Sequence, residues 1–412
     1  MHLHRSNSSL ILGACLAFAI TMFTLSASAF GQTESILYVF TGGSDGSGPT
    51  GSLIFDGAGN LYGTTDAGGV DDGNGGKGVV YELTPATGGG WTETALYAFQ
   101  GGTSDGEVPF GGVVFDAAGN LYGATNYGGA HDLGTVYELS PTGSGGWTER
   151  VIYSFAGGAD GSYPNGGLVF DAAGNLYGTT VLGGAHNQGT IFELSPTGGG
   201  GWSESVILAC SLASGERPTG SVVFDSAGNL YTTASVGGSS NAGTVLRLKF
   251  ASGVWHAGVI HTFLSGSDGS EPLSGLTFQY PRLYGTTQTG GTYGAGTAFV
   301  LVPGSGGVWT KHVLHNFGAF DDGLYPSNPL TLNATGDIFG VTGSGGTLGN
   351  GMAFELERSG GTLTEINLHN FNTGSDAGGP AGGVVLDGAG NLYGAGHNGG
   401  SFGAGAVYEI VP

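Results

Sequence analysis

The chain has 412 residues, 89 of them glycine, and its 31 acidic and 9 basic side chains give a formal net charge of −22. So few basic residues form no patch that could neutralise a phosphate backbone, which argues against a nucleic-acid partner. Hydrophobic residues make up 39% and aromatic residues 11% of the chain, which is too much for a disordered low-complexity sequence.

The first 29 residues have the organisation of a secretory signal peptide. A weakly basic start is followed by an apolar run over residues 10–25 and by the small residues Ala27-Ser28-Ala29. We expect cleavage after Ala29, or after Gly31 as the second choice, and export to the periplasm, the cell surface or the medium. No later stretch of 18 or more apolar residues occurs, so no membrane-spanning helix is predicted.

The remaining residues, 30–412, form one unit repeated seven times and predict a single domain. The phrase Phe170-Asp171-Ala172-Ala173-Gly174-Asn175-Leu176-Tyr177-Gly178 recurs at steps of 54 to 60 residues. Its aspartate position falls at Asp56, Asp116, Asp171, Asp225, Gln279, Asn333 and Asp387, and a proline lies seven residues before each. No stretch of 15 or more residues has helical periodicity without glycine, so the unit is predicted to be all-β.

Each unit is predicted to contain four short strands, A to D. In the third unit we expect strand A over 167–171, B over 176–180, C over 190–195 and D over 202–210, with an Asp-x-Gly-Asn turn between A and B. Seven four-stranded antiparallel sheets around an axis form a seven-bladed β-propeller. A solenoid is the alternative, but it requires terminal caps of atypical sequence, and neither end has one.

The two ends of the repeat region predict a closed ring. The seventh unit stops after strand C, while residues 32–40 align with strand D of the first unit, residues 91–99. We therefore expect residues 35–40 to pair antiparallel with residues 405–410 and to complete the last blade, which removes an open edge. The long link from D to the next A places strand A at the axis. We expect a monomer.

The repeat also resembles a known family. The run Val169-Phe170-Asp171-Ala172-Ala173-Gly174-Asn175-Leu176-Tyr177-Gly178-Thr179-Thr180, followed by Gly183-Gly184 and Gly189-Thr190-Ile191-Phe192-Glu193-Leu194, is similar to the GloVer tandem repeat of exported bacterial proteins. The resemblance covers nearly the whole chain after the signal, and the A–B phrase is more distantly similar to NHL-type propellers. The resemblance to the GloVer repeat implies export and a repeat fold. It implies no established reaction, so no catalytic residue is carried over.

The B–C loops carry the informative variation between units. B–C loops and D–A links share one face, because successive strands alternate in direction. The polar residues of this face that we single out as ligand-binding candidates are Asp71, Asp72, His131, Asp132, His186 and Asn187, and the opposite arc offers Tyr293, Leu348 and Phe402. The D–A links add Asp45, Asp105, Asp160, Asp268, Asp322 and Asp376. We expect an acidic face with ligand contacts on units one to three. No cofactor is predicted, and Ca²⁺, with which the carboxylates are compatible, has little support because residues 71–77 do not match an EF-hand loop.

Strand D contains three registers whose simplest role is packing between blades. Five tryptophans open the strand, and a row of tryptophans is also able to stack on sugars. His261, His315 and His369 occupy a register held by Tyr38, Tyr97 and Tyr153 in other units, and Cys210 takes a register otherwise held by phenylalanine. Cys210 is the only cysteine beyond the signal segment, so no internal disulfide is expected.

Two functions from different classes remain open. The first is a secreted, non-enzymatic binding or scaffold module for an extracellular glycan or protein, because no acid–base or nucleophile constellation stands out. The alternative is a propeller enzyme acting on sugars or lactones through the acidic and histidine residues of the B–C loops. Carboxylates and histidines converging on the central channel would favour the enzyme, and a channel mouth lined by glycine and serine would favour binding.

Overall fold

The computed structural model describes residues 33–70, 73, 75–143, 145–359 and 361–412. The predicted signal peptide, Asp71 and Asp72 lie outside the described residues. The described chain forms seven four-stranded antiparallel blades of a β-propeller, which confirms the predicted fold class. Its helical elements are two short 3-10 turns, Gly266–Asp268 and Ser305–Gly307. Within the described ranges no helix is long and apolar enough to cross a membrane.

The strands of each blade follow in the order A to D. Blade 1 contains Ser47–Phe55, Leu61–Ala67, Val79–Pro85 and Trp91–Ala98. Blade 2 contains Gly106–Pro109 with Val114–Phe115, then Leu121–Gly128, Thr135–Pro141 and Trp147–Ser154. Blade 3 contains Ser162–Pro164 with Val169–Phe170, then Leu176–Leu182, Thr190–Pro196 and Trp202–Ala209. Blade 4 contains Val223–Phe224, Leu230–Ala234, Thr244–Ala251 and Val254–Thr262.

The last three blades follow the same order. Blade 5 contains Thr277–Gln279, Arg282–Thr287, Thr297–Pro303 and Trp309–Asn316. Blade 6 contains Thr331–Leu332, Ile338–Thr342, Met352–Ser359 and Thr362–Asn370, with a short pair formed by Gly323–Leu324 and Ser344–Gly345. Blade 7 contains Pro380–Leu386, Leu392–Gly396 and Ala406–Val411, and its outermost strand is the N-terminal Thr33–Val39.

Strand A differs from its prediction in blades 2 and 3, where it is interrupted near the axis, whereas in blades 1 and 7 it is continuous. In blade 3 the predicted strand 167–171 is replaced by two pieces, Ser162–Pro164 and Val169–Phe170, both paired with strand B. The intervening glycines lie where neighbouring blades approach most closely. A Cβ on Gly166 would lie 2.9 Å from the carbonyl oxygen of Gly220 in blade 4. At this point strand A therefore has glycines instead of larger residues and lacks ladder hydrogen bonds, which allows seven blades to fit around one axis.

A backbone hydrogen bond repeated at every junction ties each blade to the one before it. The residue preceding the strand-A proline has a positive φ of 53–62° in all seven blades, and its N–H donates to a carbonyl of the preceding B–C loop at 2.8–3.0 Å. The seven donors are Gly48, Val108, Tyr163, Arg217, Glu271, Tyr325 and Gly379. Five of them carry a Cβ, for which this conformation is uncommon. The interblade bond holds the conformation in place.

The N-terminal strand lies on the outer edge of blade 7. Ser35 faces Glu409 and Val39 faces Ala406 in an antiparallel pairing. Just beyond the strand, the N–H of Phe40 donates to the carbonyl of Gly405 at 3.0 Å. Strand C of blade 7 is therefore paired on both edges, and its polar backbone groups are satisfied.

The apolar core consists of clusters between adjacent blades. One phenylalanine register of strand D is fully buried at Phe40, Phe99, Phe155, Phe263, Phe317 and Phe371, and Cys210 is equally buried at the seventh position. Burial raises the pKa of the Cys210 thiol to about 12, so Cys210 is an inert apolar residue. Trp202 packs edge-on against Tyr122 of the preceding blade at 5.9 Å between ring centroids. The tryptophan row thus packs between blades.

Candidate functional site

The B–C loops and D–A links form one face of the ring, here called the BC face, and the A–B turns and C–D hairpins form the other, the AB face. On the BC face His131 and His186 are exposed, and Tyr293 has 58% of its surface exposed. These residues belong to blades 2, 3 and 5, and other residues line the described mouth of the central channel. The candidates therefore lie on one face without meeting in one cleft.

The two polar candidates that follow the exposed histidines shape their own loops. Asp132 and Asn187 have positive φ values of 57° and 54°. Their Oδ1 atoms accept hydrogen bonds from the N–H groups of Gly128 at 3.0 Å and Gly183 at 3.1 Å. Asn241 makes the same bond to Gly237 in blade 4 at 3.1 Å. Each of these side chains closes the B–C turn, which leaves His131 and His186 as the freer groups of the polar arc.

The aspartates of the D–A links are less exposed than the sequence suggested. Asp45, Asp105 and Asp322 keep only 8%, 5% and 7% of their surface. In six links the aspartate accepts the N–H of the residue that follows the buried phenylalanine, at 2.7–2.9 Å. In the link to blade 4, the hydroxyl of Ser214 accepts the equivalent N–H of Ser211. The BC face is thus less acidic than expected, because these carboxylates turn inward to cap backbone groups.

The mouth of the central channel is lined by the residues that follow the seven strand-A prolines. They are Thr50, Phe110, Asn165, Thr219, Leu273, Ser327 and Ala381. At its rim the Nε2 of His397 lies 3.1 Å from Asp66, and this hydrogen bond raises the pKa of the histidine. The rest of the described lining includes hydroxyl groups, the amides of Asn165, Gln288 and Asn328, and the apolar Phe110 and Leu273. The mouth thus combines one histidine–carboxylate pair with neutral polar and apolar groups.

A cleft lies on the AB face between blades 3 and 4. Its volume is about 680 Å³, within the usual range of 300–1,000 Å³ for ligand pockets. The A–B turns of the two blades form its walls, and the end of strand C in blade 4 contributes Lys249 and Phe250. In five other blades the Phe250 position is proline, at Pro85, Pro141, Pro196, Pro303 and Pro412. A smaller cleft of about 500 Å³ occupies the equivalent place between blades 1 and 2, lined by Pro141 and Trp147, so the departure from the repeat is Phe250 and not the cleft itself.

Two aromatic rings face each other across the C–D hairpin of blade 4. Phe250 pairs with Trp255 in the strand register, and their ring centroids lie 5.3 Å apart at a tilt of 56°. Trp255 is fixed by its edge-on contact with Tyr177 of blade 3, at 5.8 Å, and its indole N–H donates to Glu193 Oε2 at 3.3 Å. Phe250 keeps 55% of its surface exposed. The tryptophan is held by packing, and the phenylalanine extends the aromatic surface into solvent.

Polar groups of both signs surround these rings. Burial acts to raise the pKa of Asp171 and Asp225, but hydrogen bonds from Asn175, Asn229 and the turn backbones outweigh it and lower both pKa values. Both carboxylates are therefore ionised at neutral pH. Lys249 is exposed and makes no hydrogen bond or ion pair with the described residues. The cleft thus presents an aromatic surface, fixed carboxylates and one available ammonium group.

The sequence contains a signal for this cleft at the end of strand C, outside the B–C loops that supplied the predicted candidates. Alignment of the seven units places Lys249-Phe250 where the other units have Thr-Pro, Ser-Pro, Val-Pro or Glu-Arg. An exposed phenylalanine in place of a proline stands out once the C–D hairpins are compared. The B–C loops were predicted as the ligand site instead because their residues vary between units.

The family of the chain follows from its sequence. The family model described as the Gloeobacter/Verrucomicrobia repeat matches residues 20–145, 70–299 and 256–412. The chain therefore belongs to this repeat family, which confirms the resemblance seen in its motifs. No curated protein matches the sequence.

Several solved structures share the propeller architecture at low sequence identity. The BP39L lectin from Burkholderia pseudomallei is 11% identical with a TM-score of 0.55, and the similarity covers 88% of this chain and 96% of the lectin. A putative oxidoreductase (glucose dehydrogenase) from Thermus thermophilus is 14% identical with a TM-score of 0.43, covering 92% of this chain and 100% of that chain. A further glucose dehydrogenase is 15% identical with a TM-score of 0.43, covering 92% and 99%. At such identities the lectin similarity shows the fold alone, and the dehydrogenase similarities say nothing about reaction.

Proposed function

We propose that this chain is an exported, non-enzymatic propeller that binds a glycan in the cleft between blades 3 and 4. The observation that carries the proposal is the aromatic pair of Phe250 and Trp255, of which Phe250 is 55% exposed. A large exposed apolar side chain rimmed by polar groups is typical of a binding surface. Blades 1, 2, 3 and 5 have a proline at the Phe250 position, so they lack this aromatic pair.

The chemistry of the cleft suits a sugar ring. The apolar C–H face of a pyranose packs on an aromatic ring, whose face carries negative charge density. The hydroxyl groups around the ring require donors and acceptors, which Lys249 and the exposed hydroxyl of Ser226 provide. Because Trp255 is fixed by Tyr177 and Glu193, the site is largely formed before a ligand arrives, which lowers the entropic cost of binding.

The proposed location agrees with this ligand class. The first 29 residues have the pattern of a signal peptide, and the family resemblance implies export. A secreted module meets polysaccharides of cell walls or of the medium. The low content of basic residues and the net charge of −22 disfavour strongly acidic polysaccharides, so we expect a neutral glycan.

A glycan array followed by calorimetry on the mature protein tests the proposal. F250A and K249A should each weaken binding of the best array ligand at least tenfold. The double variant K249S/F250P restores the Ser-Pro found at this register in blades 2 and 3, and it should abolish binding without changing the fold. F320A is the matched control, because Phe320 is 95% exposed but lies in the D–A link of the opposite face.

The same experiment distinguishes the other candidates. Unchanged affinity in K249S/F250P would disprove the cleft as the binding site. Loss of binding in H131A or H186A but not in F250A would place the ligand on the BC face instead. Chemical conversion of the bound sugar that stops in H131A or H186A would favour the enzyme alternative.

A further inference from the structure

A cluster of three side chains recurs where adjacent blades meet on the BC face. It combines one residue of strand D, the aspartate of the following D–A link, and a residue of strand D in the next blade, two positions after the tryptophan register. The six clusters are Tyr38–Asp45–Glu93, Tyr97–Asp105–Glu149, Tyr153–Asp160–Glu204, His261–Asp268–Lys311, His315–Asp322–Glu365 and His369–Asp376–Glu34. Between blades 3 and 4 the corresponding strand-D residues are Leu208 and Ala257.

Two of these clusters have the composition and spacing of a metal site. At the junction of blades 5 and 6, His315 Nε2 lies 3.1 Å from Asp322 Oδ2 and 3.6 Å from Glu365 Oε2. In each of the two clusters the three donor atoms lie within 4.8 Å of one another. Ligands around a tetrahedral zinc ion with bonds of about 2.0–2.1 Å lie about 3.3 Å apart. The donor atoms are therefore close to their metal-bound spacing.

The second cluster, at the junction of blades 6 and 7, repeats this arrangement. His369 Nε2 lies 3.2 Å from Asp376 Oδ2 and 3.9 Å from Glu34 Oε2. The three side chains keep only 22%, 15% and 13% of their surface. The second oxygen of Glu34, Oε1, is buried and has no hydrogen-bond partner among the described residues, and the same holds for Oε1 of Glu365 and for the equivalent oxygens of Glu93, Glu149 and Glu204, whose clusters lack the histidine. A buried carboxylate oxygen without a donor costs free energy, and a bound cation would remove that cost.

The supporting contacts hold the donors in place. Asp322 accepts the N–H groups of Gly318 at 2.9 Å and Gly323 at 2.6 Å, which fixes the orientation of its carboxylate. The ring of His315 packs edge-on against the buried Phe317 with centroids 4.6 Å apart. Such outer contacts are what orients the ligands in protein metal sites.

The homologous cluster between blades 4 and 5 already contains a cation. There the glutamate position is Lys311, whose ammonium lies 3.0 Å from Asp268 Oδ1, and the side chain of Lys311 is only 4% exposed. The same ammonium lies 5.3 Å from the ring centroids of Phe263 and Phe299. The fold thus accommodates a positive charge at this point between blades, next to a histidine and an aspartate.

We propose that His315, Asp322 and Glu365, and likewise Glu34, His369 and Asp376, each bind one divalent transition-metal ion of the zinc type. One imidazole nitrogen and two carboxylates suit such an ion, whereas calcium prefers oxygen ligands alone. Water completes the coordination. Burial raises the pKa of Glu34 and of Glu365, so on binding both the proton of the glutamate and the proton on the ligating histidine nitrogen pass to solvent.

The second site has a structural consequence for the ring. Glu34 belongs to the N-terminal strand, His369 to strand D of blade 6, and Asp376 to the link into blade 7. A metal bound there connects the N-terminal strand with blade 6 and with the link into blade 7 through side chains. We therefore expect the metal to slow the opening of strand Thr33–Val39.

Zinc binding to the mature, chelator-treated protein tests the proposal. After titration with ZnCl₂ and gel filtration, elemental analysis should find two zinc ions per chain. E365Q and E34Q should each lose one ion, and the double variant should lose both. E149Q is the matched control and should keep two, since it alters the tyrosine-containing cluster. K311E should gain a third ion.

Further outcomes decide the proposal. An unchanged zinc content in the double variant E34Q/E365Q would overturn it, as would the absence of bound zinc in a wild-type chain with native circular dichroism. Calcium bound at these residues in preference to zinc would overturn the metal class. In hydrogen exchange, zinc should protect residues 33–39 in the wild type but not in E34Q, and equal protection in both would disprove the role at the ring ends.

Discussion

The clusters at the junctions of blades 7 and 1, 1 and 2, and 2 and 3 contain a tyrosine where those of blades 4 and 5, 5 and 6, and 6 and 7 contain a histidine, and the junction of blades 4 and 5 also has Lys311 in place of the glutamate. In the first group a tyrosine hydroxyl donates to the link aspartate, as Tyr97 does to Asp105 at 2.9 Å. In the second group a histidine occupies that position, as His315 does beside Asp322 at 3.1 Å. The backbone and the aspartate are the same in both. Where the glutamate is kept, one position of strand D decides whether the aspartate accepts a hydrogen bond from a phenol or lies beside an imidazole nitrogen that is able to bind a metal.

The junction of blades 3 and 4 belongs to neither group. Leu208 and Ala257 replace the polar strand-D residues, and Ser214 replaces the aspartate. The three positions change together because a buried aspartate without its partners would be costly. The same two blades carry the aromatic cleft on the opposite face. The junction that lacks the polar cluster on the BC face is thus the one that carries the aromatic cleft on the AB face.

Deletion of residues 33–40 should produce the largest effect, since it removes one member from each group. The deletion removes Glu34 from a histidine-containing junction and Tyr38 from a tyrosine-containing junction. It also removes the fully buried Phe40. Each large apolar side chain that is exposed costs about 1.5–3 kcal/mol, so the melting temperature should fall by well over 10 °C. Thermal unfolding followed by circular dichroism measures this. A truncated chain that melts like its parent would show that this strand does not stabilise the ring.

Removing the link aspartate should affect both groups equally. D105A leaves Tyr97 O–H and the N–H groups of Gln100 and Gly106 without an acceptor, which should cost about 3 kcal/mol of unfolding free energy. D322A should cost a similar amount in metal-free protein. S214A, in the junction without an aspartate, should cost about 1 kcal/mol. Urea unfolding measures all three, and a much smaller loss in D105A than in S214A would contradict the capping role of the aspartate.

The tyrosine junctions should make stability depend on pH. Burial, followed by repulsion from the link aspartate, raises the pKa of Glu93, Glu149 and Glu204 to about 7. The folded protein therefore keeps protons that the unfolded chain releases above about pH 4.5. This contribution to stability is fully present below pH 4.5 and is lost as the pH rises through about 7. Urea midpoints at pH 5 and pH 8 should differ less in E149Q than in the wild type, and an equal difference would refute the shift.

The smallest expected change in stability is that of Y153H, which converts a tyrosine junction into a histidine junction. The aspartate and glutamate of this junction, Asp160 and Glu204, are already present, so unfolding free energy should change by less than about 1 kcal/mol. Zinc content should rise by one ion per chain. The variant Y153F has the same ring without a nitrogen ligand and should leave the zinc content unchanged. Equal zinc content in the two variants would disprove the idea that this single register separates the groups.

The fold was predictable because its signals are local and repeated. The A–B turn illustrates this: Asp171 accepts the N–H groups of Ala173 and Asn175 at 2.8 and 2.9 Å, as its place in the repeated phrase suggested. The interruption of strand A was not predictable in the same way. It follows from the distance between Gly166 and Gly220, which belong to different blades and approach only when the ring forms.

The candidate sites were harder to predict because their members are about one repeat apart. His315 and Glu365 show no common pattern along the chain until the blades are stacked. The D–A aspartates appeared as an acidic surface, since spacing does not reveal that Asp105 turns inward to accept backbone N–H groups. Phe250 was visible in the sequence, but its exposure next to Trp255 required the structure.

The sequence alone therefore determined the number of blades, the strand order within each blade and the A–B turns, because periodic spacing and turn chemistry act over a few residues. The tertiary structure decided which side chains of neighbouring blades meet, which aspartates are buried and where an aromatic surface remains open to solvent. The physical reason is that these properties depend on distances between separate repeats. A repeat sequence specifies each unit separately, and only closure of the ring brings Glu34, at one end of the chain, beside His369 and Asp376 near the other.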